Sequence, residues 1–418
     1  MEMMEEKIAE STLDENVDDK RKSKKPIIIT LIIVFIVLIA AFLLYFVIFK
    51  SADNLNDNGD NYLFSNGLVP VNIEGSYGYI DKNGKDVIDP QFDYAGAFAE
   101  NGLACVCVGD KYGFIDKTGN LIINPQFDYA YAFTENGLAL VYVGDKYGFI
   151  DKTGSFVINP QFDEAGYFSE NGLAQVLVGN KVGFIDKTGK LVINPQFDYA
   201  DAFAENGLAC VYVGDKYGFI DKTGSFVIDP QFDYADAFAE NGLACVYVGD
   251  KYGFIDKTGS FVIDPQFDVA YTFTENGLAC VCVGDKYGFI DKTGSFVINP
   301  QFNYADNFAK NELAKVRVGD KYGFIDKTGN LVINSQFDYA YAFTENELAK
   351  VRVGDKYGFI DKTGNLVINP QFEYATDFYN DGYAVISNDG KYGIIDTKGN
   401  YIVSAQYNDI DDVDIYVI

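Results

Sequence analysis

The chain has 418 residues, a formal net charge of −28, 31 tyrosines, 35 phenylalanines and neither histidine nor tryptophan. So acidic a surface repels phosphate backbones, which argues against a nucleic-acid partner. The missing histidine removes the usual general base near neutral pH and excludes Ser-His-Asp, Cys-His and H-E-x-x-H zinc chemistry.

Residues 1–25 read as a short, disordered cytosolic tail that ends in the basic run "KRKSKK" (20–25). Residues 26–49, "PIIITLIIVFIVLIAAFLLYFVIF", carry no charge and read as a transmembrane helix. At 1.5 Å per residue the run reaches about 35 Å, enough to cross a ~30 Å hydrocarbon layer. It exceeds the ~7–15 residues of a signal-peptide core, so a retained anchor is the expectation. The lysine and arginine bias places the N-terminus inside and all later residues outside, as a single-pass protein of a cell membrane. Residues 50–62 form a polar linker, "KSADNLNDNGDNY".

From residue 63 to 418 the chain is periodic. "KYGFIDKTG" begins at Lys111, Lys146, Lys216, Lys251, Lys286, Lys321 and Lys356, and a Tyr-Gly or Val-Gly pair recurs every 35 residues from Tyr77 to Tyr392. Ten units at a fixed period of this size signal a stacked repeat architecture. In one unit, "LALVYV" (138–143) predicts a strand and Gly144-Asp145 a type II′ hairpin loop. "KYGFID" (146–151) is the returning strand, "KTGS" a second turn with Gly154 at positive φ, and "FVIN" (156–159) a third strand closed by Pro160. Phe162, Ala165 and Phe168 follow, at a spacing that predicts a bulged strand or a 3₁₀-like turn. Each unit is therefore a meander of three or four antiparallel strands.

Ala139, Val141 and Val143 share one face, and their slots hardly vary, so this face packs. The alternate slots hold Leu140 and Tyr142 here, but Cys105/Cys107, Gln175/Leu177 and Lys315/Arg317 elsewhere. That chemical freedom predicts a face open to solvent or ligand. Leu121, Ile122 and Ile123 make both faces of a later strand apolar, so covering by neighbouring units is expected on both sides. Gly113 leaves room for another sheet to approach closely.

The segment "GDKYGFIDKTGNLVINPQFDYAYAFTENGLA" resembles the bacterial WG-repeat, with Tyr where that pattern has Trp, as at Tyr112 and Tyr357. The resemblance spans residues 63–418. It implies a β-structured repeat of envelope and cytosolic proteins and no single activity. The expected fold class is all-β: ten blade-like units stacked face to face, propeller-like or as an open superhelix, after one transmembrane helix. An edge-paired β-solenoid is the alternative, and closure stays open, because ten exceeds the usual 4–8 blades.

Cys105, Cys107, Cys210, Cys245, Cys280 and Cys282 occupy only variable slots, which argues for free thiols over a disulfide framework or a metal site. The aspartates of the "DKTG" turns read as turn caps, since the loop lacks the dense oxygen ligands of a calcium site. No cofactor, metal or catalytic residue is expected, and hence no enzyme. The candidate ligand-binding residues are the tyrosines at Tyr142, Tyr212 and Tyr247 on the variable face and Tyr129, Tyr131, Tyr271 and Tyr341 in the "FDYAYAF" segment, whose rings can stack on sugars or pack on a protein. The expected function is a membrane-anchored extracellular scaffold binding a protein, peptide or cell-wall glycan. A structural envelope spacer and an ectodomain sensor are the alternatives.

Overall fold

Each 35-residue unit supplies four antiparallel strands. In the third sheet these are Tyr129–Phe133, Ala139–Val143, Lys146–Ile150 and Phe156–Phe162, paired in chain order. The computed structural model describes residues 62–410. The expected tail (1–25), membrane helix (26–49), residues 50–61 of the linker and residues 411–418 lie outside the described residues. Among the described residues no helix is long and apolar enough to cross a membrane.

Ten four-stranded sheets follow one another, and they form a closed ten-bladed β-propeller. We number the blades from Leu68–Ile73 in blade 1 to Tyr401–Tyr407 in blade 10. The first strands of neighbouring blades approach one another. Asn307 of blade 8, for example, donates its Nδ2 to the Thr272 carbonyl of blade 7 at 3.1 Å, 35 residues back. Equivalent positions come this close only near the axis, so the first strand of each blade is the inner one and the fourth lies at the rim.

The core lies between blades. Cys105, Phe114, Ile123 and Phe127 of blade 2 form one cluster with Ala130, Phe133, Ala139, Val141 and Ile150 of blade 3. The same pattern recurs at every seam, as between blades 3 and 4 and between blades 5 and 6. Phe114 meets Phe133 with ring centroids 4.8 Å apart, and Phe254 meets Phe273 at 4.8 Å. No blade owns a complete core, and stacking the sheets is what buries the rings.

The glycine of each Tyr-Gly pair has a steric cause. The rim strand bulges over it: Tyr147 pairs with Phe162, but Phe149 pairs with Ile158. A Cβ on Gly148 would lie 2.6 Å from the Ile158 carbonyl oxygen and 2.7 Å from the Pro160 nitrogen. Pro160 sits at this bulge in an edge strand, where it blunts pairing with other chains.

The ring closes between its termini. Asp409–Ile410 pairs with Leu68–Ile73 and becomes the inner strand of blade 1. Leu63 and Phe64 join the seam between blades 1 and 10, together with Val385, Ile394 and Val403. The Asp381 carboxylate accepts the backbone N–H groups of Leu63 and Phe64 at 3.3 and 3.0 Å. Closure decides the question the repeats left open, and the edge-paired solenoid is overturned, since each sheet ends at a blade and the seams are face to face.

Three local expectations change. Gly144 and Asp145 both take positive φ, 57° and 63°, the signature of a type I′ loop and not II′. Phe162 ends the rim strand of blade 3, while Ala165 belongs to the inner strand of blade 4, so the expected single segment is two elements. Leu121 and Ile122 are exposed and only Ile123 is buried, because blades diverge toward the rim and leave the start of each rim strand uncovered.

Candidate functional site

The strand directions give the ring two faces. The Gly144-Asp145 type hairpins, joining second and third strands, lie on one face. The opposite face carries the turns between first and second strands, such as Thr134–Gly137, and the Asp151–Gly154 type turns. On the hairpin face Asp128 links two blades. It forms an ion pair with Lys111 of blade 2 and accepts the Gly144 N–H of blade 3 at 2.8 Å.

The tyrosines anticipated as ligand contacts fall into two groups. Tyr142, Tyr212 and Tyr247 reach the hairpin face. Each is half-buried and stacks on its hairpin partner, Tyr147, Tyr217 or Tyr252, at 4.7–4.8 Å. Their hydroxyls lie 3.3–3.5 Å from Asp145, Asp215 and Asp250, to which they donate. Tyr129 is exposed and packs against half-buried Tyr131 at 4.9 Å. Tyr341 packs on Tyr339 at 4.9 Å, and Tyr271 lies against the seam of blades 7 and 8. Burial raises the Tyr271 phenol to about 12. The seven residues are thus spread over blades 3, 5, 6, 7 and 9 and do not converge on one site.

The variable slot of the second strand is not open to solvent. Leu140, Cys105, Cys210, Cys245, Cys280, Lys315 and Lys350 are all buried. This slot points into the seam, because stacked blades cover both faces of that strand. Cys105 donates its Sγ to the Ala130 carbonyl of the next blade at 3.3 Å, and Lys350 donates Nζ to the equivalent Ala375 carbonyl at 2.9 Å. All six cysteines are free thiols. Burial pushes the Cys210 thiol well above its ordinary value, with Asp201 and Asp236 adding to the rise, so it is a poor nucleophile.

At the position after the inner-strand alanine the sequence singles out Tyr131, Tyr271 and Tyr341 but not the aspartates. This position holds Gly96, Tyr131, Gly166, Asp201, Asp236, Tyr271, Asp306, Tyr341 and Thr376 in blades 2 to 10. Its only signal in the sequence is that it breaks the repeat. Tyr199 donates its hydroxyl to Asp201 at 2.5 Å, and Tyr234 donates to Asp236 at 2.5 Å. Tyr304 donates likewise to Asp306, whose other oxygen lies 2.8 Å from Lys315 Nζ. Among the described residues no group of three or more Cys, Asp and Glu side chains is arranged to hold a metal ion.

The turn face contains an open concavity of about 1300 Å³ across blades 5 to 8. Glu205, Glu240, Glu275 and Glu312 line it with Lys257, Lys310 and Lys327, above Phe238, Phe273 and Phe308. Acidic and basic side chains both line it above apolar rings, which suits a polar chain that can form hydrogen bonds and cover rings.

The carboxylates make opposite contributions to stability with pH. Burial pushes Asp201 and Asp236 up, against the pull of the Tyr199 and Tyr234 hydroxyls. The turn aspartates are held down by a threonine hydroxyl and backbone N–H groups, as at Asp116, Asp151 and Asp221. A raised carboxylate binds protons more tightly in the folded state, so stability grows as pH falls toward the ordinary value of 3.8. A lowered one contributes stability above 3.8 that is lost as pH falls below it. The thermal midpoint should therefore rise from neutral into mildly acidic pH and fall below about 3.8. Asp201→Asn with Asp236→Asn should flatten the rise and keep the fall, in thermal scans across pH. An undiminished rise would assign it wholly to relief of net charge.

The family model for the WG containing repeat matches ten consecutive stretches: residues 77–112, 112–147, 147–181, 183–217, 217–252, 252–287, 287–322, 322–357, 357–392 and 392–414. No curated protein matches the chain. Among solved structures, a crystal structure of the eukaryotic initiation factor is 10% identical with a TM-score of 0.51, covering 82% of this chain and 98% of that one. Sqt1 of Saccharomyces cerevisiae is 11% identical with a TM-score of 0.33, covering 63% and 91%. The extracellular domain of a putative one component system from B. thetaiotaomicron is 9% identical with a TM-score of 0.29, covering 84% and 60%. The first likeness concerns the fold alone, and the other two are too distant to support an argument.

Proposed function

The chain belongs to the WG containing repeat family, and from that premise we propose that it is a membrane-tethered extracellular scaffold that binds a peptide or protein segment on the turn face of its propeller. The concavity across blades 5 to 8 carries this reading, with Glu and Lys side chains of both signs over Phe238, Phe273 and Phe308. The apolar run at 26–49, preceded by "KRKSKK", supports a single-pass anchor in a bacterial membrane with the propeller outside. Near-equivalent blades would let weak contacts add through avidity. A repeat scaffold without histidine suits binding, not catalysis.

Capture of envelope proteins and of purified cell-wall glycan by the full-length chain in detergent tests the reading. Glu240→Ala with Lys257→Ala and Lys327→Ala should reduce protein capture at least about tenfold, the equivalent of about 1.4 kcal/mol. Tyr142→Ala with Tyr212→Ala and Tyr247→Ala, on the hairpin face, should leave it unchanged. Capture of glycan alone, or loss only with the tyrosine variant, would overturn the assignment. Failure to retain any partner would favour a structural spacer.

A further inference from the structure

Lys315 shows what one seam of the propeller can hold. Its side chain leaves the second strand of blade 8, and Nζ ends 2.8 Å from Asp306 Oδ2. Nζ lies 5.6 Å from the ring centroid of Tyr304, 5.9 Å from that of Tyr322 and 5.1 Å from that of Tyr339. The side chain is 8% exposed. A carboxylate and three tyrosine faces thus surround one ammonium, and the ring quadrupoles and the negative charge both favour it there.

Three units earlier the same cage stands without its lysine. Tyr199, Tyr217, Tyr234 and Asp201 occupy the slots of Tyr304, Tyr322, Tyr339 and Asp306. Tyr217 and Tyr234 close with ring centroids 5.5 Å apart, as Tyr322 and Tyr339 do at 5.0 Å. The slot of Lys315 holds Cys210, whose side chain ends three atoms short of where an ammonium would sit. Asp236 takes the slot of Tyr341 and adds a second carboxylate to the seam. Among the described residues no Lys or Arg pairs with Asp201 or Asp236. Tyr234 is exposed, and so are Ala202 and Ala237 beside the two carboxylates, which are themselves half-buried.

We propose that the seam between blades 5 and 6 binds a primary alkylammonium, held by Asp201 and Asp236 and by the faces of Tyr199, Tyr217 and Tyr234, in the position that Lys315 fills internally three blades on. A divalent cation is the poorer occupant, because it needs six to eight oxygen ligands and gains little from rings. An ammonium has three donors for the two carboxylates and a compact charge for the tyrosines. It neutralises two acids that the fold places near each other without a cation. The site lies in the inner seam and does not depend on a partner at the turn face.

Calorimetric titration of the full-length chain in detergent tests the proposal, with cadaverine and N-acetyl-lysine amide as probes. Saturable binding to one site is expected. Asp201→Asn with Asp236→Asn should weaken it at least about tenfold. Cys210→Lys should abolish it by supplying the ammonium from within, and should raise the thermal midpoint. Asp285→Asn with Asp320→Asn removes two hairpin-face carboxylates and should leave binding intact, which separates the site from general attraction to an acidic surface. Tighter binding of the lysine amide assigns the amine to a protein side chain, and tighter binding of cadaverine assigns it to a free diamine. Absence of saturable heat with either probe up to about 10 mM, an affinity too weak for a built site, would overturn the proposal, as would binding that survives Cys210→Lys.

Discussion

Ile410→Asp should open the ring. Nine of the ten blades place alanine at this inner-strand position, from Ala95 to Ala375, and blade 1 alone has isoleucine. Blade 1 is also the blade whose inner strand comes from the far end of the chain. In every other blade the chain itself joins the first strand to the second, as through the Thr134–Gly137 turn between Phe133 and Ala139. In blade 1 the first strand, reached from blade 10 through Asn408, has no such link to Leu68–Ile73, and the closing pair must be held by contacts. Ile410 is fully buried among Val69, Val71, Val403 and Tyr407. Its three carbons beyond alanine are worth about 2 kcal/mol at ~0.8 kcal/mol per buried carbon.

An aspartate there loses this burial and places a carboxylate in an apolar seam, a combined cost of about 3–5 kcal/mol. Small-angle scattering should report a larger radius of gyration, and a dye that binds exposed apolar surface should bind the variant. Ala305→Asp, at an internal seam, should lower stability by a similar amount and keep the ring dimensions, because the blades on either side remain joined. Unchanged dimensions for Ile410→Asp would show that Leu63, Phe64 and the Asp381 carboxylate hold the closure alone.

Gly148→Ala should destabilise the propeller by about 3 kcal/mol, the upper end of the usual range for overpacking. The added methyl would meet the Ile158 carbonyl oxygen at 2.6 Å, the Pro160 nitrogen at 2.7 Å and the Asn159 carbonyl carbon at 2.9 Å. All three atoms are backbone, so no rotamer change can relieve the contact. Relief requires lifting the bulge, and lifting the bulge moves Ile158 and Phe162 out of the core between blades 3 and 4. Gly137→Ala is the informative contrast. Gly137 has φ of 80° but nothing within 4 Å of its missing Cβ, so the cost is conformational, about 1–2 kcal/mol. The order of the two urea midpoints checks the argument, and equal midpoints would mean that the rim bulge yields freely.

The same two substitutions separate what was legible in the residues from what was not. Gly113 reads as a place of close approach from one strand alone, because the need for a bare Cα is local and recurs in every unit. What approaches, however, is the rim strand of the same blade, through the Ile123 carbonyl and the Pro125 nitrogen, and not another sheet. The dependence of each blade on its neighbours was also legible, since no single unit carries enough alternating apolar positions to enclose its own rings. The partners were not. The slot of Cys105, Leu140 and Lys315 looked open because its chemistry varies, yet it is buried. A seam tolerates a thiol, a leucine or a caged ammonium as long as each finds its carbonyl, its apolar neighbours or its carboxylate. Tyr129, Tyr131, Tyr142, Tyr212, Tyr247, Tyr271 and Tyr341 stand out in the sequence by their rings. Asp201, Asp236 and Asp306 do not, because a carboxylate on so acidic a chain carries no signal until the fold shows which ones lie beside tyrosine hydroxyls.

Period, strand content and the stacking of small sheets were determined by the sequence by itself, because each follows from contacts spanning fewer than 35 residues. Closure, the two faces of the ring and the placing of Cys210 against the Ala235 carbonyl of the next blade were decided only by the tertiary structure. The ring closes because each blade turns by about a tenth of a revolution, a property of the sum of ten seams that no single unit contains. Asp381 and Ile410, the two departures from the repeat that hold the closure, acquire their meaning only when residues 63 and 410 are brought to the same seam.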